Sequence, residues 1–155
     1  MAVDVGMPAP DVTLISTDLE PKRISDFRGK PVVLAFFPGA FTSVCTKEMC
    51  TFRDSMTRFN QMNAQVLGIS VDSPFSQKAF AEANNLNFPL LSDFNKEAIR
   101  AYGVVLSDLR GLREVAQRAV FVLDRDGVVR YRWVADVPTQ EPPYEEVEKA
   151  VQALG

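Results

Sequence analysis

Three near-continuous runs of apolar residues constrain the fold of this chain most strongly. They consist largely of β-branched and aromatic residues: Val32–Phe37 (VVLAFF), Val66–Val71 (VLGISV) and Ala119–Leu123 (AVFVL). Runs of this kind are typical of strands that are covered on both faces. The sequence therefore predicts a central sheet that lies between layers of helices.

Helical patterns fill most of the intervals between these strands. We expect helices over residues 43 to 62, 73 to 84, 95 to 102 and 144 to 154. The first of them follows Thr42, a residue type that is favoured at helix N-termini, and the third ends at Gly103, a favoured C-terminal residue.

Shorter signals complete the predicted topology. Two short leading strands are expected at Asp11–Ile15 and Arg23–Ile24, and Asp124–Gly127 predicts a hairpin turn before a return strand at Val128–Val134. The order of elements predicts a mixed α/β sheet of the thioredoxin-like type. The stretch Leu106–Gln117 carries no clear pattern and is compatible with a loop or a short helix.

Length and charge restrict the classes of partner. The 155 residues are expected to form a single domain over positions 1–155. A formal net charge of −3 disfavours a nucleic-acid partner, because binding to a phosphate backbone needs an excess of basic residues. No run approaches the roughly 18 apolar residues of a membrane span. The first six residues do not resemble a signal peptide, so the sequence predicts a cytoplasmic protein.

The chain has no histidine and two cysteines, Cys45 and Cys50. The absence of histidine excludes Ser-His-Asp and Cys-His catalysis, and two cysteines are too few for a closed zinc site. A single bridge between residues this close would constrain little of the fold. We therefore expect neither a metal nor a structural disulfide, and look for thiol chemistry instead.

The two cysteines fall on different faces of the predicted 43–62 helix. At about 100° per residue, several apolar side chains lie within about 40° of Cys45, namely Met49, Phe52, Met56 and Phe59. Cys50 lies about 140° away, on the polar face. A helix N-terminus favours a reactive thiolate, but a cysteine on an apolar stripe is more often a small buried side chain.

The loop before this helix favours the reactive interpretation. Pro38–Cys45 reads PGAFTSVC, with a proline, three residues, a threonine, two residues and a cysteine. This pattern resembles the active-site loop of the peroxiredoxins, and the likeness extends to Glu48 and to Arg118, which precedes an apolar strand. The order of elements agrees from about residue 8 to residue 154. A second cysteine five positions after the first is similar to the bacterioferritin comigratory protein, or peroxiredoxin Q, subgroup.

The resemblance implies a thiol-dependent peroxidase that needs no cofactor. Cys45 would attack hydrogen peroxide or a small organic hydroperoxide, and Cys50 would resolve the resulting sulfenic acid. Thioredoxin or an equivalent dithiol protein would then reduce the disulfide. Thr42 would hydrogen-bond the thiolate and the peroxide, and Pro38 would shield the thiolate from water.

Arg118 would favour the thiolate and Glu48 would orient the arginine, with Arg110 and Arg113 as the alternatives to Arg118.

Other interpretations remain open. The segment between 103 and 118 is also similar to one-Cys peroxiredoxins of the alkyl hydroperoxide reductase E type, in which an external thiol resolves Cys45. A thioredoxin-like disulfide reductase would need a Cys-x-x-Cys pair, which this chain lacks. A redox-sensing or chaperone module of the same fold is a non-enzymatic alternative. A homodimer is possible for any of these.

Overall fold

The computed structural model describes residues 3–154. Its strands are β1 (Thr13–Ser16), β2 (Pro21–Arg23), β3 (Val32–Phe36), β4 (Gln65–Ser70), β5 (Leu90–Ser92), β6 (Val105–Leu109), β7 (Leu112–Ala116), β8 (Ala119–Leu123) and β9 (Val129–Val134). Its α-helices are α1 (Ser43–Asp54), α2 (Met56–Gln61), α3 (Pro74–Ala83), α4 (Glu97–Ala101) and α5 (Tyr144–Gln152), and a 3-10 helix covers Ile24–Phe27. No helix within the described range is long and apolar enough to cross a membrane.

Seven strands form one mixed sheet in the order β2-β1-β5-β4-β3-β8-β9. The central strand β3 pairs with β4 in parallel and with β8 antiparallel, and Phe36 lies opposite Ala119. The start of β8 therefore lies beside the end of β3. This register brings Arg118, the residue before β8, next to the loop that leads into α1.

Both faces of the sheet are covered, as the apolar runs predict. Alternate residues of β3 enter different clusters of buried side chains: Val32, Leu34 and Phe36 lie on one face. Val33 and Ala35 lie on the other face, where they join Cys45 and Met49 of α1. Because both sets are buried, the strand needs apolar residues at every position.

The predicted 43–62 helix is in fact two helices. α1 ends at Asp54 and α2 begins at Met56, with Ser55 between them. The Ser55 hydroxyl donates to the carbonyl of Thr51 at 2.9 Å, and its own N–H is shared between the carbonyls of Thr51 and Phe52. A serine that bonds to the preceding turn in this way competes with the regular helical ladder, which explains the break.

The unassigned stretch 106–117 is mostly a β-hairpin. β6 and β7 pair antiparallel as a separate two-stranded sheet, with Leu109 opposite Leu112. Arg110 and Gly111 form its tip with φ values of 50° and 92°. The sequence also missed β5, and the segment Arg23–Ile24 straddles the end of β2 and the start of the 3-10 helix. The remaining predicted strands and helices are confirmed to within a few residues.

Candidate active site

Cys45 lies in the first turn of α1 and is fully buried. The chain reaches this position from the end of β3 through a loop in which Phe41 has a φ of 65°. Thr42 occupies the N-cap position, and its carbonyl accepts the N–H of Thr46 at 2.9 Å. The thiol therefore lies among the unpaired N–H groups of a helix N-terminus, which favour a negative charge.

Arg118 contacts the Cys45 sulfur directly. Its Nη1 lies 3.3 Å from Cys45 Sγ and 2.6 Å from Glu48 Oε1, and both bonds are buried. Its Nε and Nη2 donate to the carbonyl of Pro138 at 3.1 and 2.7 Å. The guanidinium is thus held from two sides, by a carboxylate of α1 and by a carbonyl of the loop after β9.

Glu48 lies one turn after Cys45 and has no exposed surface. Oε1 accepts the Arg118 bond, whereas Oε2 has no hydrogen-bond partner among the described residues. Burial raises the pKa of Glu48 to about 7, although the charge and hydrogen bond of Arg118 oppose that rise. Nearby Glu141, which binds Lys47 at 3.0 Å, raises the pKa of Glu48 further. The charge of Glu48 is therefore sensitive to pH near neutrality.

Arg118 remains a cation in this setting. Burial acts to lower its pKa, but the negative charges of Glu48 and Cys45 outweigh that effect and raise the pKa above the ordinary arginine value. A permanent positive charge therefore lies against the sulfur, away from bulk water. The electrostatic interaction of such a charge with a nearby negative group is stronger in a buried site than at the surface, because the effective dielectric constant is lower there.

Pro38 and Thr42 line the same pocket as Cys45 and Arg118. Pro38 is buried and Thr42 is exposed. The Thr42 hydroxyl donates to the carbonyl of Gly39 at 2.9 Å and makes no cap bond to the helix. The expected side-chain cap is therefore absent, and the hydroxyl bonds within the preceding loop instead.

Cys50 is not part of this pocket. It is half-buried on another face of α1, where its Sγ lies 3.7 Å from Asn84 Oδ1 at the end of α3. Both cysteines are free thiols. The structure thus brings Cys45, Glu48, Arg118, Pro38 and Thr42 together and leaves Cys50 outside the group.

Several site residues have no signal in the sequence. The Pro138 carbonyl binds Arg118, and Leu109 and Leu112 of the β6–β7 hairpin cover one side of the pocket. Arg110 lies in the pocket wall but not on the sulfur, and Arg113 does not line the pocket. Among residues 3–154, no three side chains of His, Cys, Asp or Glu are close enough to hold a metal ion.

The chain matches the model of the AhpC/TSA family over residues 5–132. It is 44% identical over 128 residues to the chloroplastic peroxiredoxin Q of Sedum lineare and 43% identical over 129 residues to that of Triticum aestivum. Each match covers 83% of this chain, and the chain spans 67% of the Sedum protein and 58% of the wheat protein.

Two solved structures resemble the whole described fold. A peroxiredoxin-like protein from Aquifex aeolicus has a TM-score of 0.91 and 31% identity, covering 100% of this chain and 90% of its own. Peroxidoxin BcpB from Mycobacterium tuberculosis has a TM-score of 0.88 and 31% identity, covering 99% of both chains. The thioredoxin-like fold and the similarity to the bacterioferritin comigratory protein and peroxiredoxin Q subgroup are thereby confirmed.

Proposed function

Since the chain belongs to the AhpC/TSA family and is a thiol-dependent peroxidase of the peroxiredoxin type, we propose that Cys45 is the thiol that attacks the peroxide. The observation that carries this proposal is the 3.3 Å contact between Arg118 Nη1 and Cys45 Sγ beside an open pocket. The thiolate is the nucleophilic form of a cysteine, and Arg118 places a cation within hydrogen-bond distance of this sulfur.

The reaction transfers two electrons from sulfur to the peroxide. The Cys45 thiolate attacks the terminal oxygen, the S–O bond forms as the O–O bond breaks, and Cys45 becomes a sulfenic acid. The second oxygen leaves as hydroxide or alkoxide and takes up a proton to give water or an alcohol. The developing negative charge on that oxygen is the part of the reaction that the active site has to stabilise.

Arg118 is suited to that task. A guanidinium has five N–H groups, and four of them have partners: two bonds to Pro138, one to Cys45 and one to Glu48. The remaining N–H is available to the peroxide. Glu48 and Pro138 act as positioning groups, because they hold the guanidinium plane.

Thr42 and Pro38 complete the proposed peroxide site. The Thr42 hydroxyl, which donates to the Gly39 carbonyl, would rotate to form a hydrogen bond with an entering peroxide, since a hydroxyl both donates and accepts. Pro38 has no N–H to offer and lines the pocket beside Cys45, where it would limit access of water to the sulfur. Both residues line the pocket that Cys45 opens into.

We further propose that Cys50 resolves the sulfenic acid. The Cys50 thiolate would attack Cys45, release water and form an intramolecular disulfide, which a thioredoxin-like dithiol protein would reduce by exchange. The partly exposed position of Cys50 supports this role, because a purely structural cysteine is usually buried. The distance of Cys50 from the pocket favours the alternative, a one-Cys peroxidase that an external thiol resolves.

One experiment tests both proposals. After one equivalent of hydrogen peroxide, the wild-type protein should lose two hydrogens and no longer react with a thiol-blocking reagent. Cys50→Ser should retain one added oxygen that a sulfenic-acid reagent captures. Cys45→Ser should show no rapid oxidation and no turnover with a dithiol reductant. Turnover that persists in Cys45→Ser and disappears in Cys50→Ser would contradict the assignment of the nucleophile.

The cellular setting stays a prediction. A cytoplasmic location follows from the sequence interpretation alone, and the two curated relatives above are chloroplastic. A homodimer likewise stays a prediction, which the mass of the native protein in solution would test.

A further inference from the structure

A single hydrogen bond joins the loop before α1 to a distant part of the chain. The Ala40 N–H donates to Oδ2 of Asp72 at 2.7 Å, and Asp72 lies between β4 and α3. Within the described range, no other hydrogen bond connects residues 38–41 with a residue outside the segment 37–42. This carboxylate therefore holds the loop that carries Pro38 and Thr42.

The backbone of this loop needs such a restraint. Phe41 has a φ of 65°, a left-handed conformation that is unfavourable for a bulky side chain. Its ring contacts that of Phe80 at a centroid distance of 5.2 Å, but 59% of the residue remains exposed. Because the ring is only partly packed, this contact restrains the backbone weakly. We therefore expect residues 39–42 to relax when the bond from Ala40 to Asp72 is lost.

The Asp72 carboxylate is itself held by two fully buried side chains, Ser70 and Gln77. Ser70 Oγ lies 2.7 Å from the same Oδ2, and Gln77 Nε2 lies 2.9 Å from Ser70 Oγ. Gln77 Nε2 also donates to the Leu91 carbonyl at 3.0 Å, which fixes the direction of its amide. An amide nitrogen only donates, so the Ser70 hydroxyl accepts from Gln77 and donates its single proton to Asp72.

We infer that Asp72 is a positioning residue for peroxide reduction. It acts through the Ala40 N–H and holds Thr42 where the threonine hydroxyl reaches a peroxide at Cys45. Asp72 does not line the pocket, so it affects the reaction only through the loop. This inference rests on the proposed function, which assigns Cys45 as the attacking thiol and Thr42 as a group that binds the peroxide.

The test measures the rate constant for Cys45 oxidation by hydrogen peroxide, by rapid mixing, in two variants of Asp72. Asp72→Ala removes the acceptor and should slow oxidation about tenfold, the lower end of the effect of a hydrogen bond to a charged group. Asp72→Asn keeps one oxygen that can accept from both Ala40 and Ser70, so its rate should stay within about twofold of wild type. An equal loss in both variants would overturn a role based on this hydrogen bond.

A double-mutant cycle tests whether Asp72 acts through Thr42. Thr42→Val removes the hydroxyl and nearly preserves the volume of the side chain. In that background Asp72→Ala should slow oxidation by less than about twofold more, because the group that it positions is already absent. A general loss of stability would instead slow the reaction in either background. Additive losses would therefore contradict the positioning of Thr42.

Asp124 offers a matched control at the opposite end of β3. Its Oδ1 accepts the N–H groups of Asp126 and Val128 in the β8–β9 turn, and the adjacent Leu123 lies opposite Val32. Asp124→Ala also removes a carboxylate that holds a loop, but it should keep the oxidation rate within about twofold of wild type. A loss as large as that of Asp72→Ala would show that the effect is not specific to the active-site loop.

Ser70→Ala decides the question if Asp72→Ala does not fold. It removes the hydroxyl that orients Asp72 and leaves the Ala40 bond in place, so oxidation should slow about threefold. A wild-type rate in Ser70→Ala and in any folded Asp72→Ala would overturn the inference and leave the proposed function intact. Failure of the proposed function would appear differently, as no Cys45-dependent oxidation in the wild-type protein.

Discussion

Formation of a disulfide between Cys45 and Cys50 should require α1 to unwind at its start. Both cysteines lie in one continuous helix from Ser43 to Asp54. In an ideal helix, residues five apart are separated by five rises of about 1.5 Å and a turn of 140° at a radius of about 2.3 Å, so their Cα atoms are about 8.7 Å apart. A disulfide needs roughly 7 Å or less. The oxidised protein therefore cannot keep this part of α1 helical.

The structure indicates how far the unwinding extends. Met49 lies between the two cysteines and is fully buried, so exposing it costs about 1.5–3 kcal/mol. The contact of Cys50 with Asn84 is also lost. Beyond them, Phe52 packs against Phe59 and Tyr144 at ring separations of 6.1 and 5.6 Å. We expect unwinding to stop before Phe52, because a second large buried side chain would add a similar cost.

Hydrogen exchange on both redox forms measures this directly. In the reduced protein, an opening that costs about 1.5–3 kcal/mol is populated about ten- to a hundredfold less than the closed helix. In the disulfide form this segment is already open, so amides from about residue 46 to 51 should exchange at least tenfold faster than in the reduced form. Amides of β4 should be unchanged. Oxidised Cys50→Ser is the matched control: it forms the sulfenic acid without a bridge and should keep the helix protected. Equal protection in both forms of the wild-type protein, with the disulfide verified by mass, would refute the unwinding model.

Two further predictions concern the buried charges. Arg118→Ala should slow oxidation of Cys45 by hydrogen peroxide about a hundredfold or more, as removal of a preorganised donor does in other enzymes. Rapid mixing measures this rate, and Arg113→Ala should oxidise at close to the wild-type rate. Similar losses in both variants would contradict the role of Arg118. The raised pKa of Glu48 means that its carboxyl group binds a proton more tightly in the folded protein than in the unfolded chain. The free energy of unfolding should therefore fall by up to about 3 kcal/mol as pH rises from 4.5 to about 7. Denaturant titrations across that range should show this component missing in Glu48→Gln, and an unchanged pH dependence in the variant would exclude Glu48 as its source.

The sequence predicts the long strands well because their burial on two faces leaves a continuous apolar signal. β5 has only three residues, Leu90–Ser92, and lies between Pro89 and Asp93. A segment this short shows no periodicity. It becomes a strand because it pairs with β4 on one side and β1 on the other. Its structure is therefore a consequence of the assembled sheet and not of local sequence.

The β6–β7 hairpin was missed for a different reason. Its tip, Arg110-Gly111, needs positive φ values at both residues, a requirement that Asn-Gly or Asp-Gly signals much more strongly than Arg-Gly. Its strands also lack regular alternation, because most of their residues are only partly buried or exposed. A hairpin that serves mainly as a pocket wall leaves a weak core pattern in the sequence.

The arginine at the sulfur illustrates what the sequence can and cannot predict about the site. A family pattern favours Arg118, but Arg110 and Arg113 have the same chemistry and lie a few residues away. The strand register determines which arginine reaches the sulfur, since the pairing of Phe36 with Ala119 brings Arg118 to the end of β3. Nothing in the sequence marks the Pro138 carbonyl as part of the site, because every residue has a backbone carbonyl. Yet it accepts two of the four bonds of this guanidinium, so the position of the loop after β9 determines the direction in which the remaining N–H points. In the proposed mechanism, peroxide chemistry at Cys45 is therefore coupled to a loop that contributes no reactive side chain.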